Sequence, residues 1–402
     1  MTTGDAVATP RSGAPATRSF RHGLLLVGIL LIATNLRAGI TVVGPLLDPV
    51  RTDLDLASPA AGLLVSLPLL CFALFSPVAP QLAARVGMER TIGLALGTLA
   101  VGIVLRSAPW TPFLWGGTAL LGISIATMNV LLPALVKRDF VHHSRITGLY
   151  SATQSAAAAA AAGLAVPLAG AGESGWRLAF GVWAGLAVVA LAVFAPQLGT
   201  RSLPLAADTT FAPGPVRSPW TTAVGWQVTV FMGTQSTLFY TLVSWWPSIQ
   251  TSRGVGHAEA GVDQTIIQLV GLASGLIVTA LIGRRQDLRL ILVGLISLPT
   301  VALAGELLLP SGATVWSILF GLGGGTVVLA LALFGIRTTS YRDAASLSGM
   351  AQSLGYLLAA AGPLCVGGLH DASGGWETSL VVLLVLQGVQ AVAGWLACRP
   401  RA

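Results

Sequence analysis

Arg37 is the residue in this chain best placed to do chemistry inside an apolar environment. It lies near the middle of residues 24–47, a run of about 24 residues that is otherwise almost wholly apolar. As a helix, that run rises roughly 36 Å, enough to cross a hydrocarbon layer of about 30 Å. An arginine at mid-span costs at least about 2.5 kcal/mol, and with a pKa above about 12 it cannot shed its proton. Its side chain must therefore face protein or a wet cavity, where a fixed cation is first of all an anion site. The alternative is a structural charge paired with helix carbonyls or a neighbouring carboxylate. Thr41 lies one turn on, on the same face, and is a candidate for the same ligand. Asn35 stands about 200° round the helix from Arg37, so its reading is divided between site and interhelical hydrogen bond.

A second cluster falls in residues 220–249. Gln235 and Phe239 share one helical face, and Ser236 and Tyr240 the adjacent one. An amide, a phenol and an aromatic wall suit a small planar solute. The competing reading is packing for Phe239 and an interhelical bridge for Tyr240. Trp245 and Trp246, near the outer end of that span, read as interface anchors, with an outer gate as the other reading of Trp245.

The elements that must position these residues follow from composition. Of 402 residues, 54% are hydrophobic and only 9% charged, with a mean hydropathy of +0.80. Soluble domains carry about 25% charged residues, so the expected class is an all-α membrane protein. Hydropathy places twelve spans near 23–47, 59–83, 91–107, 110–136, 145–170, 176–197, 220–249, 259–282, 288–309, 313–336, 344–369 and 377–398. One long connection, 198–219, with Pro204, Pro213, Pro215 and Pro219, divides them into six and six. The expected organisation is a disordered basic tail (1–22), a first six-helix bundle (23–197), a cytoplasmic linker (198–219), a second bundle (220–398) and a short tail (399–402). The 48 glycines and many alanines suit helices packed closely in lipid. Cys71, Cys365 and Cys398 read as packing residues, with no disulfide framework or metal site.

Charge sets the expected orientation. With the N-terminus inside, 17 of the 22 basic residues fall on inner segments and four on outer loops, which puts both ends in the cytoplasm of a plasma-membrane protein. The net charge of +7 then belongs to loops, and no nucleic-acid partner is expected. The halves also repeat. Arg85 and Arg90 are echoed by Arg284 and Arg289, Ala61-Gly62 by Ala260-Gly261, residues 146–155 by 347–353, and Gly175-Trp176 by Gly375-Trp376, all at an offset of 199 to 201. Such repeats about an axis along the membrane normal mark a two-bundle transporter. Within them, Gln154 and Gln352 or Tyr356 occupy related places.

Twelve spans in two halves with a basic loop after the second resemble the major facilitator superfamily. Its signature there, Gly-x-Leu-Ala-Asp-Arg-x-Gly-Arg-Lys, is matched at Leu82, Ala83, Arg85 and Gly87, with Arg90 just past its basic end, but Ala84 stands in the Asp position. That departure leaves the motif's charge relay incomplete. A closer resemblance is to the cyanate/2-nitroimidazole porter family. It is carried by NLRA (35–38), VGPLL (43–47), AGLLV (61–65), NVLLPALVKRDF (129–140), QSTLFY (235–240), WWP (245–247) and LSGMAQSLGYLLAAAGP (347–363). The resemblance implies two bundles rocking about a central cavity, fed mostly by helices 1, 4, 5, 7, 8, 10 and 11. Asn129, Gln264 and Gln268 are polar residues on such helices, with interhelical glue as the competing reading.

The expected function is secondary transport of a small anion or small polar planar solute. The resemblance implies cyanate-like substrates, with efflux of nitroimidazole-like heterocycles as the alternative. No cofactor is expected, and with two bundles in one chain a monomer suffices. Asp48, Asp263 and Glu306 read as lying at span ends, so no deep titratable relay is expected. No paired intramembrane Asp, HExxH helix or Walker motif occurs, which argues against an intramembrane enzyme or an ATP-driven pump.

Overall fold

The computed structural model describes residues 15–140, 143–170, 172, 175–199, 218–282, 287–338 and 341–399. Most of the expected 198–219 linker and Arg284 of the repeat lie outside them. Twelve helical spans follow one another: α1 Pro15–Thr41, α2 Ser58–Phe75, α3 Met88–Arg106, α4 Thr111–Asp139, α5 His143–Ala169, α6 Trp176–Gln197, α7 Ala223–Thr251, α8 His257–Ile282, α9 Arg289–Leu308, α10 Pro310–Ile336, α11 Tyr341–Ser373 and α12 Glu377–Ala397. The first begins at Pro15, inside the tail expected to be unstructured. Residues 1–14 lie outside the described chain.

Eleven of these spans are long and apolar enough to cross a membrane. The other is α7, 29 residues long. Its threonines, serines and glutamines lower its hydropathy, yet Thr234, Gln235, Thr241, Ser244 and Gln250 are all buried. A helix shielded by its neighbours on most sides need not be lipid-like.

Antiparallel succession returns the chain to the end where α1 starts, here the near end; the opposite is the far end. At the near end, Gly87 takes φ +100° between the short helix Val78–Val86 and α3, a backbone that favours glycine. Ala84, the departure from the signature, is exposed, while Glu89 accepts from Arg138 of α4 at 2.7 Å.

The two halves meet along α2 with α11 and α5 with α8. Near the far end they touch backbone to backbone. A Cβ on Gly62 would stand 2.6 Å from the Pro363 carbonyl oxygen, and one on Gly44 2.3 Å from that of Val243. Polar contacts cross the same seam. Asp371 of α11 accepts from the backbone N–H of Ser58 at 2.9 Å and from its hydroxyl at 2.5 Å. Asp48 accepts from Ser248 at 3.0 Å, joining residues 200 positions apart.

The repeat carries an inversion of charge. Arg177 reaches Asp53 at 3.1 Å in the first half. Two hundred residues on, Arg253 stands for Asp53 and Glu377 for Arg177, and they pair at 3.8 Å. Arg106, buried against Phe180 and donating to the Gly39 carbonyl at 2.8 Å, has Glu306 as its counterpart.

The glycine run of α10 forms a 3-10 turn, Gly323–Gly325. A Cβ on Gly324 would lie 2.6 Å from Gly271 Cα, and one on Gly323 2.1 Å from Pro299. The run is a close-packing joint between α8, α9 and α10.

Candidate functional site

Between the halves lies a cavity of about 470 Å³, reached by Arg37 of α1, Gln154 of α5, Gln235 and Phe239 of α7, and Gln268 of α8. Its walls come from the near-end part of α5 (Thr147 to Ser155) and the near-end parts of α8 and α10. The space therefore runs from Arg37 towards the near end, with the far-end seam above it.

Arg37 is half-buried, and its guanidinium carbon sits 5.3 Å from the Phe239 ring centroid. Among the described residues its side chain has no ion pair and no hydrogen bond. Tyr240 and Tyr356 stand within range of its charge. Phe239 is held edge-on against Tyr240 at 5.2 Å, and Tyr356 edge-on against Phe72 at 5.8 Å. These rings fix the wall against which the cation lies.

Gln268 Nε2 is buried and has no acceptor among the described residues. Gln235 is 7% exposed, and its Oε1 accepts from Ser236 at 3.3 Å. The cavity thus holds two kinds of unengaged donor, a guanidinium and an amide N–H, beside an aromatic face. Buried donors without partners are costly, so the arrangement is complementary to a ligand rich in acceptors.

Arg37, Gln154, Gln235, Phe239 and Gln268 of the expected site residues meet in the cavity. The others do not line it. Thr41 donates to the carbonyls of Arg37 at 3.1 Å and Ala158 at 3.2 Å, tying α1 to α5. Asn35 points the other way, donating to Leu31 at 2.8 Å and Leu186 of α6 at 3.4 Å, the interhelical bond its helical angle left open. Gln352 donates to Ser348 at 2.7 Å. Asn129 is exposed on α4, and Tyr240 and Tyr356 stand behind the lining, against Phe239 and Phe72.

Among the lining residues that the sequence reading did not single out are Gln387 and Gln390 of α12. A signal was there: two glutamines three apart share one face of an otherwise apolar helix. Gln387 also donates to the Ile296 carbonyl at 3.2 Å, so it is part glue, part wall.

A cavity between two repeated six-helix halves, closed at one end, is the architecture of a two-bundle membrane transporter. The chain belongs to the Major Facilitator Superfamily, whose family model matches residues 29–363. It is 42% identical to the 2-nitroimidazole transporter of Escherichia coli (strain K12), over 94% of this chain and 96% of that one. It is 28% identical to the cyanate transport protein CynX of the same organism, over 88% and 91%. Among solved structures it resembles a bacterial homologue of the human lysosomal transporter Spinster, with a TM-score of 0.75 and 17% identity over 97% of this chain and 98% of that one. That last likeness concerns the fold. The family and these relatives are transporters, not enzymes, and the chain is a multi-pass membrane protein.

Proposed function

We propose that the chain carries a small planar solute with a negatively charged or strongly electron-rich end, of the size and kind of a nitroimidazole, across the cytoplasmic membrane. The observation that carries this reading is the pair of unengaged donors, Arg37 and Gln268 Nε2, in one cavity with the Phe239 ring. A guanidinium presents a planar fork that matches two oxygens side by side, as in a nitro group or a carboxylate. A flat ring then stacks on Phe239. The similarity to a 2-nitroimidazole transporter supports the same chemistry. A cyanate-like anion is the second reading, favoured by the positive charge of Arg37 and by the more distant similarity to a cyanate transporter.

The basic residues gathered on the near-end segments make that end cytoplasmic. The sealed far end then faces outwards, and the cavity is exposed inwards. Rocking about the filled site reverses this, and one chain supplies both halves.

The test is flux of labelled 2-nitroimidazole and labelled cyanate in proteoliposomes of the purified full chain. Saturable 2-nitroimidazole flux, inhibited by the unlabelled compound, is the expected result. Saturable cyanate flux alone would give the second reading the lead, and no saturable flux of either would reject both. A companion variant, Phe239→Leu, removes the ring while keeping an apolar wall. It is expected to weaken 2-nitroimidazole about fivefold, corresponding to about 1 kcal/mol of aromatic contact, and to change cyanate much less. Equal losses for both would place Phe239 outside the ligand's contact.

A further inference from the structure

At the far end of the second half, away from the cavity, lies a buried acid that the transport reading does not use. Glu306 of α9 is 0% exposed, and neither carboxylate oxygen has a hydrogen-bond donor among the described residues. Arg253, at the end of α7, binds the Glu306 backbone carbonyl. Its Nε stays 4.0 Å from the carboxylate, and its Nη2 is 3.8 Å from the exposed Glu377 of α12. A second buried acid, Asp263 of α8, acts electrostatically on Glu306. Asp263 Oδ2 accepts from Gln250 Nε2 at 2.9 Å, while Asp263 Oδ1 and Gln250 Oε1 have no donor, although Gln250 is 0% exposed. From α10 this cluster meets only neutral groups, the Ser317 hydroxyl and the Ala313 carbonyl.

The charges do not balance. Two buried carboxylates face one guanidinium, and that guanidinium is shared with Glu377. An isolated buried charge costs several kcal/mol, and such groups neutralise instead. Asp263 has a donor to support its anion and Glu306 has none, so a proton belongs on Glu306. A metal cation fits less well, because no group of three or more Asp, Glu, His or Cys side chains converges among the described residues. In the first half the same repeat position is held by Arg106, a charge that does not titrate. The repeat has therefore put a titratable acid where its other copy has a fixed cation.

We infer that Glu306, with Asp263 and Gln250, forms a proton-binding site that couples transport to the proton gradient. The inference rests on the transport reading and its orientation. Ser248 and Thr251, on either side of Gln250 in the last turn of α7, donate to Asp48 across the seam at 3.0 and 3.3 Å. Opening of the far end frees this end of α7, which carries Gln250 and Arg253 against the acid pair, and brings the pair into reach of external water. Glu306 then exchanges its proton with the outside, and closure buries it again.

The test has two readouts. Infrared difference spectra of the full chain in lipid, taken across a pH titration, detect a protonated carboxyl directly and need no substrate. The wild type is expected to show a carboxylic-acid band that disappears as pH rises. The band should be missing in Glu306→Gln and kept in Asp263→Asn. No such band in the wild type, or an unchanged band in Glu306→Gln, overturns the site. In proteoliposomes, a pH gradient is expected to drive 2-nitroimidazole at least about tenfold better in the wild type than in Glu306→Gln, with counterflow exchange in the variant within about twofold of wild type. An equal response of both proteins to the gradient, or drive by a sodium gradient instead, overturns the coupling. If 2-nitroimidazole is not carried at all, the substrate reading fails and the infrared result still decides the site.

Discussion

Arg37→Gln is expected to lose about 1.5–3 kcal/mol of ligand binding, roughly 10- to 150-fold in affinity, while the protein folds and inserts as before. The size of the effect follows from the surroundings of Arg37. Among the described residues its guanidinium meets no carboxylate, so its donors are available to the ligand, and removing it strands no counter-charge. A structural arginine would behave in the opposite way, lowering stability with little change in affinity. Arg37→Lys sharpens the result. It keeps a point charge but loses the planar fork, so cyanate affinity should recover in part and 2-nitroimidazole affinity should not. Binding by calorimetry, with thermal unfolding of the same samples, separates the cases. Normal affinity with a lowered melting temperature would make Arg37 structural and shift the site to Gln235, Gln268 and the α12 glutamines.

The second large effect is steric and lies in the far-end seam. Gly62→Val puts a branched side chain where even a Cβ would stand 2.6 Å from the Pro363 carbonyl oxygen. Backbone cannot yield as a side-chain tip can, so the cost should fall at the upper end of overpacking, about 2–3 kcal/mol. It is paid only when the far end is closed. The conformational equilibrium therefore moves towards far-end opening by roughly 30- to 150-fold, and transport stalls. Spin labels in the far-end turns at Asp55 and Gly256, in a cysteine-free background, report the change. The interlabel distance distribution should be short in the parent and long in Gly62→Val. An unchanged distribution with normal flux would mean that the seam bends to accept the side chain.

Much of the architecture was legible because the bilayer simplifies the code. Apolar length marked the helices and their number. Among the described spans α7 alone departs from the hydropathy rule, because its polar residues are sheltered by neighbouring helices. The site was legible in part. Arg37 stood out because a charge at mid-span has few structural uses. Phe239, Gln235 and Gln268 followed from helical spacing and from the helices the family resemblance singled out. Asn35 and Thr41 were harder to place, because a polar side chain in a membrane helix serves equally to bind a ligand or tie a neighbour, and sequence spacing does not say which helix lies opposite. For Asn35 that neighbour is α6, for Thr41 α5. Glu306 shows the same gap in reverse. By position it looked like a span end, yet burial between α9 and its neighbours α10 and α12 removed it from solvent.

The contact between Asp371 and Ser58 bears on the resting preference of the transport cycle. Ser58 opens α2, and its first amide finds its acceptor on a helix of the opposite half. In the proposed rocking cycle Asp371 is thus a detachable helix cap: present when the far end is shut, given up to water when it opens. A cap of this kind contributes about 1 kcal/mol, roughly a fivefold bias. The sealed conformation is favoured by completing the secondary structure of α2, whether or not a solute is bound.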